Sequence, residues 1–96
     1  MSTTAKQIIS RFTIRQCILA KVRTRGLEKT ICPSEVAREL GGEEWRSLMS
    51  EVRMVGIELA KSGEIQITQG GKAINPLNIK GPIRLRVTEK GLKQER

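Results

Sequence analysis

The side chains that could carry chemistry in this 96-residue chain are almost all basic. The sequence has no His, Asp or Tyr, and its ten acidic residues are all Glu. A cysteine nucleophile would lack its usual imidazole partner, and no pair of carboxylates has a spacing typical of acid–base catalysis. Cys17 and Cys32, without any His, also exclude the usual zinc spacings. The sequence therefore predicts a protein that is not an enzyme and that uses no metal or cofactor.

The positive charge is concentrated toward the two ends of the chain. The net charge is +8, from 18 Lys and Arg against 10 Glu. Residues 1–25 contain six bases and no acid, and residues 64–96 contain seven bases and three Glu, whereas residues 26–63 are net negative. A basic balance favours DNA or another polyanion as the partner. We therefore expect the basic surface to come mainly from the ends.

Six basic side chains are the candidate nucleic-acid-binding residues. They are Arg46, Arg53, Lys72, Lys80, Arg84 and Arg86. The last two are two residues apart on a predicted strand, so both point to one side, and the two lysines can join them from the preceding loop. The alternative is a solvated strand face on which these arginines pair with Glu64, Gln66 or Thr68.

The longest helical pattern runs from residue 43 to residue 63 and is expected to position the other elements. Trp45, Leu48, Val52, Val55 and Leu59 recur at steps of three and four, which predicts one apolar face of a helix. This face is expected to lie in the core, with Trp45 as the single large anchor.

A second stripe of the same helix carries Arg46 and Arg53, where a DNA-reading helix would meet the major groove. The alternative is that both arginines pair with nearby Glu or Ser side chains. Glu43 and Glu44 lie at the start of this helix, Glu51 and Glu58 lie along it, and a groove lined by phosphates would repel them. The helix is therefore expected to contribute less to binding than the basic arm and the loop.

Two shorter helices are predicted before this one. The first begins at a capping box formed by Thr13 and Gln16, with Phe12 and Cys17 in contact as a hydrophobic staple, and ends at Gly26. The second begins at Pro33 and ends at a double-glycine turn at residues 41–42.

The hydrophobic period changes after residue 63. Residues 64–69 and 83–87 alternate between apolar and polar side chains, which predicts two strands. The turn at Gly70 and Gly71 could alternatively add a short strand at residues 72–74. The predicted fold is α+β, a three-helix winged-helix-like (helix-turn-helix) domain with a C-terminal ribbon of two or three strands. The expected regions are a basic arm at 1–12, the domain at 13–87 and a frayed, charged tail at 88–96.

No apolar run approaches the length of a membrane span, and the two cysteines are interpreted as reduced thiols of a cytoplasmic protein. A disulfide between them stays open, because it depends on geometry.

Several short strings resemble a known family. They are CPSEVAR at 32–38, WRSLM at 45–49 followed by Val52 and Arg53, ITQG at 67–70, and KGPIRLR at 80–86. Together they resemble a family of small bacterial proteins of unknown function that are thought to be winged-helix-like. The resemblance covers about residues 14–87 and implies a fold and a bacterial cytosolic setting. It implies no activity, because a fold does not determine a function.

The leading hypothesis is a non-enzymatic domain that binds nucleic acid through its basic arm and its wing, the loop and strands after residue 69. The alternative is a protein-interaction or dimerisation module, in which the ribbon or residues 1–12 dock on a partner. Salt separates the two hypotheses, because contacts with phosphates weaken steeply with salt and a buried apolar interface does not.

Overall fold

The computed structural model describes residues 9–77 and 79–93. Three helices are followed by a small antiparallel sheet, which confirms the α+β prediction. The helices are α1 (Arg11–Arg25), α2 (Pro33–Gly41), α3 (Trp45–Lys61) and a short C-terminal α4 (Glu89–Lys93), and a 3₁₀ turn (Gly42–Glu44) joins α2 to α3. The strands are β1 (Ile65–Gln69), β2 (Lys72–Ala73) and β3 (Arg84–Val87).

Helix α1 begins three residues earlier than predicted. Ser10 is its N-cap, and the Ser10 hydroxyl accepts a hydrogen bond from the backbone N–H of Thr13 at 3.0 Å. The predicted capping box at Thr13 is therefore wrong, because a good cap lies three residues upstream. Phe12 is 67% exposed, so the predicted staple is wrong as well. The predicted end at Gly26 is confirmed.

The predicted arm at residues 1–12 is described only in its last four residues, and residues 1–8 lie outside the described part. Ile9 packs against the core, and α1 begins at Arg11. Residues 9–12 thus join the folded domain.

Helix α2 has the ends that its sequence predicts. Pro33 occupies the first turn, where its missing N–H costs nothing. Glu35 accepts a hydrogen bond from the backbone N–H of Cys32 at 3.0 Å. Gly42 ends the helix with φ 57°, a conformation that glycine adopts without strain.

The core lies where α1, α2 and α3 meet one face of the sheet. Its buried side chains are almost all branched aliphatic: Ile14, Ile18, Leu19, Val22, Ile31, Val36, Ala37, Val52, Val55, Leu59, Ile65, Ile67, Ile83, Leu85 and Val87. The face predicted for α3 is confirmed from Val52 onward. Trp45 and Leu48, at the start of the stripe, are only partly buried against the edge of this core.

The sheet has the strand order β2-β1-β3, and all neighbours are antiparallel. Gly70 and Gly71 have φ values of 58° and 83°, and they turn the chain onto β2. The hairpin that the sequence left as an alternative is therefore present. Ile31, between α1 and α2, exchanges two backbone hydrogen bonds with Leu85 and extends the sheet beyond β3.

The chain after the sheet continues into α4 within the predicted tail, and residues 94–96 lie outside the described part. The hydroxyl of Thr88 donates to the carbonyl oxygen of Gly63 at 2.6 Å and accepts from the N–H of Gly91. Gly91 is buried, and a Cβ at this position would overlap the carbonyl oxygen of Glu64. Helix α4 docks closely because residue 91 has no side chain.

Two Gly→Ala substitutions are expected to have opposite effects on stability. Gly91→Ala should lower the free energy of unfolding by about 1–3 kcal/mol, because the added methyl group must push backbone apart. Gly56→Ala, in the middle of α3, places its Cβ 3.5 Å from Leu85, an ordinary contact. It should raise stability by about 0.5–1 kcal/mol through helix propensity.

Urea unfolding followed by circular dichroism measures both changes. A Gly91→Ala protein as stable as the wild type would show that α4 is not docked as described.

The capping carboxylate of α2 is expected to make stability depend on pH. A hydrogen bond from Arg25, followed by one from the backbone N–H of Cys32, holds the pKa of Glu35 below its ordinary value of 4.5. A lowered pKa in the folded state stabilises the protein above 4.5, and this stabilisation is lost as the pH falls through the folded-state pKa.

Glu35→Gln keeps an acceptor in the same position but removes the charge. At pH 7 we expect the variant to be less stable by at most about 1 kcal/mol, because the ion pair is about one-third exposed. The difference should shrink as the pH falls below 4.5. Urea midpoints across this range test the expectation, and a difference that persists at low pH would contradict it.

Candidate functional site

Five of the eight glutamates of residues 28–64 are paired with helix α1. Within the described residues, five ion pairs form, and α1 supplies the cation in each: Arg11–Glu51 at 3.5 Å, Arg11–Glu58 at 3.2 Å, Arg15–Glu64 at 3.1 Å, Lys21–Glu39 at 2.7 Å and Arg25–Glu35 at 2.7 Å. The predicted basic surface of the N-terminal region is therefore largely neutralised by the protein itself.

Glu64 is the most buried of these carboxylates. It was predicted as a surface partner for an arginine of the sheet or of α3, but it is only 6% exposed and lies against Arg15 and the hydroxyl of Ser62. These three residues, together with Glu58 and Lys90, line a cavity of about 310 Å³. Nothing local in the sequence marks Glu64 as buried, since its partner is 49 residues away.

The two candidate arginines of α3 share one exposed stripe. Arg46 and Arg53 are seven residues apart, which is about two turns and roughly 10 Å along the axis. Arg53 donates to the carbonyl oxygen of Gly81 at 3.2 Å. Glu51 and Glu58 lie about 140–160° around the helix from Arg53, on the side that faces Arg11. Two of the four carboxylates that were expected to repel a phosphate groove are thus turned away from this stripe, whereas Glu43 and Glu44 lie exposed in the turn before Arg46.

The two candidate lysines lie beside the same stripe. Lys72 is directly opposite Gln69 in the β1–β2 pair, so its side chain leaves the sheet on the face that carries Ile65 and Ile67. The Gln69 amide nitrogen donates to the carbonyl oxygens of Lys80 and Pro82. Together with the Arg53 hydrogen bond to Gly81, this fixes the loop that carries Lys80 between the hairpin and α3.

The other two candidate arginines lie on the opposite face of the sheet. Arg84 donates to the hydroxyl of Thr30 at 2.6 Å, and Arg86 donates to the side-chain oxygen of Gln66 at 2.8 Å. The cross-strand pairing of Arg86 with Gln66 was one of the predicted alternatives. The prediction that the lysines join these arginines in one patch is wrong for Lys72, because strand alternation places Lys72 on the other face of the sheet. The backbone of Lys80 is bonded to Gln69, which lies on the same face as Lys72.

The six candidate cations thus form two groups. Arg46, Arg53, Lys72 and Lys80 form one surface, which we call the α3–hairpin surface, and Arg84 and Arg86 form the outer sheet face. Among residues 9–77 and 79–93, none of the six makes an ion pair with a carboxylate. The cations of the α3–hairpin surface are exposed or half-exposed and are available to an external anion.

Trp45 lies at the edge of this surface, and its predicted role as the large core anchor is wrong. Its ring is only partly buried, and the guanidinium carbons of Arg38 and Arg46 lie 4.1 and 4.5 Å from the ring centre. Sequence analysis missed Arg38. A glycine turn separates it from Trp45, so helical spacing does not connect the two residues.

The two cysteines are free thiols that lie in half-buried positions. Burial, followed by the nearby carboxylate of Glu39, raises the pKa of Cys17. This thiol therefore stays protonated at neutral pH and is a poor nucleophile. Cys32 lies at the start of α2, where its sulfur is 3.1 Å from the hydroxyl of Ser34.

The described part of the chain contains no group of three or more residues of metal-ligating type. None of its helices has both the length and the apolar composition that a membrane crossing requires.

Fold and site together define a small α+β domain, in which three helices precede an antiparallel sheet and a basic surface lies beside the third helix. The chain belongs to the family described as "Protein of unknown function (DUF3253)", whose model matches residues 11–88. This match confirms the resemblance to a family of unknown function. No curated protein matches the chain.

The loop that carries Lys80 is expected to depend on the Gln69 amide. Gln69→Glu keeps the shape but places a carboxylate oxygen against two carbonyl oxygens. We expect a loss of about 1–2 kcal/mol and larger backbone motion at Lys80 and Gly81.

Urea unfolding measures the loss of stability, and backbone ¹⁵N relaxation by NMR measures the motion. Gln66→Glu, on the outer sheet face, provides the matched control, because its side chain meets the Arg86 guanidinium rather than carbonyl oxygens. Equal backbone motion at Lys80 in both variants would contradict the expected role of Gln69.

Proposed function

We propose that this protein is a non-enzymatic winged-helix domain that binds duplex nucleic acid, with the α3–hairpin surface against the phosphates. In this proposal α3 is the helix that approaches the groove, and the β1–β2 hairpin with the following loop is the wing. The partner is DNA or a closely related polyanion, and the setting is the cytoplasm.

The observation that carries the proposal is the uneven pairing of charge. Helix α1 pairs with the carboxylates of α2, α3 and the start of β1, whereas the four cations of the α3–hairpin surface have no carboxylate partner among the described residues. Unpaired cations on one surface favour association with a polyanion, because their charges add in the field outside the protein.

The orientation of α3 also supports the proposal. Its carboxylates Glu51 and Glu58 lie on the α1 side and are paired with Arg11. Arg46 and Arg53 face away from that side, and Arg53 contacts the loop beside Lys80. A duplex lying along this stripe would meet α3 and the wing at once, as in other winged-helix docking geometries.

The non-enzymatic part of the proposal rests on the side chains themselves. The chain contains no His, Asp or Tyr, and the Cys17 thiol, whose pKa is raised, has no imidazole to activate it. The chain offers few groups for proton transfer but many for binding an anion.

Two double variants that remove the same charge test the proposed surface. Lys72→Gln/Lys80→Gln removes two cations from the α3–hairpin surface, and Arg84→Gln/Arg86→Gln removes two from the outer sheet face. Each lost phosphate contact should reduce the slope of log K against log salt by about 0.9. We expect the lysine variant to lose about 1.8 from this slope and the arginine variant to match the wild type.

Fluorescence anisotropy of a labelled duplex at several salt concentrations measures the slopes. Equal losses in both variants would indicate binding by net charge alone and would contradict the proposed surface. An absence of binding by the wild type at low salt would exclude duplex binding and would favour the alternative, a protein-interaction or dimerisation module.

A further inference from the structure

A cluster of side chains at the edge of the α3–hairpin surface has no part in the proposed function. Arg38, in the last turn of α2, and Arg46, in the first turn of α3, both lie over the ring of Trp45. The Gly42–Glu44 turn joins the two helices between them. Two arginines from different helices therefore contact the same indole ring.

The guanidinium groups of Arg38 and Arg46 lie at cation–π distance from the Trp45 ring. Such a contact does not use up the N–H donors of a guanidinium group. Among the described residues, neither of the two side chains donates a hydrogen bond or forms an ion pair. Both side chains are exposed. Their donor edges are ready to accept an anion from solvent.

The two charges also repel each other. Because both guanidinium carbons lie within 4.5 Å of one ring centre, the charges are separated by no more than about one Debye length, which is roughly 8 Å at physiological salt. An anion placed between or beside the two groups relieves this repulsion. A phosphate oxygen is well suited, since arginine binds phosphate through two parallel N–H bonds.

We propose that Arg38 and Arg46, held over Trp45, form a clamp for a backbone phosphate of duplex DNA at the turn between α2 and α3. This inference rests on the proposed function and adds Arg38 and Trp45 to the binding surface. Trp45 acts as a positioning residue: it fixes two long side chains before binding, so less side-chain freedom is lost when the phosphate arrives. Its face is covered by arginines, and it is not a platform on which a base stacks.

The proposed clamp requires both the charge and the paired N–H donors of an arginine at position 38. Arg38→Gln removes the charge and the paired donors, and we expect duplex affinity at about 0.1 M salt to fall about tenfold, with a loss of about 0.9 from the salt slope. Arg38→Lys keeps the charge but loses the planar edge, and affinity should fall by about threefold. Because a phosphate carries no sequence information, both losses should be equal for duplexes of different sequence.

Trp45 provides an independent readout, because it is the single tryptophan of the chain and there is no tyrosine. A phosphate that engages the two guanidinium groups changes the charge beside the indole. Titration with an unlabelled duplex should therefore shift the Trp45 emission with the same midpoint as the anisotropy of a labelled duplex. The shift should be reduced in Arg38→Gln.

Arg84→Gln on the outer sheet face is the matched control, since it removes the same side chain from an exposed position. It should retain the affinity, the salt slope and the emission shift of the wild type. Circular dichroism and urea midpoints verify that all the variants are folded.

The experiment distinguishes a failure of the clamp from a failure of the proposed function. Wild-type binding that Arg38→Gln leaves unchanged, or binding without a shift in Trp45 emission, would overturn the clamp and leave the α3–hairpin surface standing. Weakening that appears on only one duplex sequence would also overturn it, because that result indicates a base contact. No duplex binding by the wild type would overturn the clamp and the proposed function together.

Discussion

The rest of the structure depends on the pairing of helix α1 with the carboxylates around it. The acid-free helix supplies Arg11, Arg15, Lys21 and Arg25 to five Glu side chains from α2, α3 and the start of β1. Each pair is at least partly exposed and contributes little to stability. The pairs have a larger effect on the distribution of charge, because they neutralise the α1 side of the molecule, whereas the four cations of the α3–hairpin surface have no carboxylate partner among the described residues.

A second constraint turns separate cations into a surface of defined shape. The Gln69 amide bonds two carbonyl oxygens of the loop after β2, and Arg53 bonds a third. Each bond joins a side chain to backbone, so the loop keeps its position without a large apolar contact. The hairpin, the loop and α3 thereby form one continuous surface in a chain with little apolar surface to bury.

Local sequence patterns predicted the helices and strands, whereas contacts between residues far apart in the sequence determine the candidate site. Helix α2 and strands β1 and β3 followed from Pro33, from the double glycine and from strict alternation, all of which act within a few residues. The candidate site could not be predicted from the alternation of apolar and polar residues, because it depends on strand register and on long-range pairing. The hairpin register placed Lys72 opposite Gln69 and away from Arg84, and the burial of Glu64 required a partner 49 residues away. Trp45 misled the prediction because it begins an apolar stripe that extends beyond the edge of the core.

The spacing of the α1 ion pairs along the chain has a consequence for synthesis on the ribosome. Arg15 precedes Glu64 by 49 residues, and at about 5–20 residues per second that interval lasts roughly 2–10 s. Throughout this interval the positive charge of Arg15 has no Glu64 to neutralise it. The ion pair that buries Glu64 can therefore form only after the three long helices have all been synthesised.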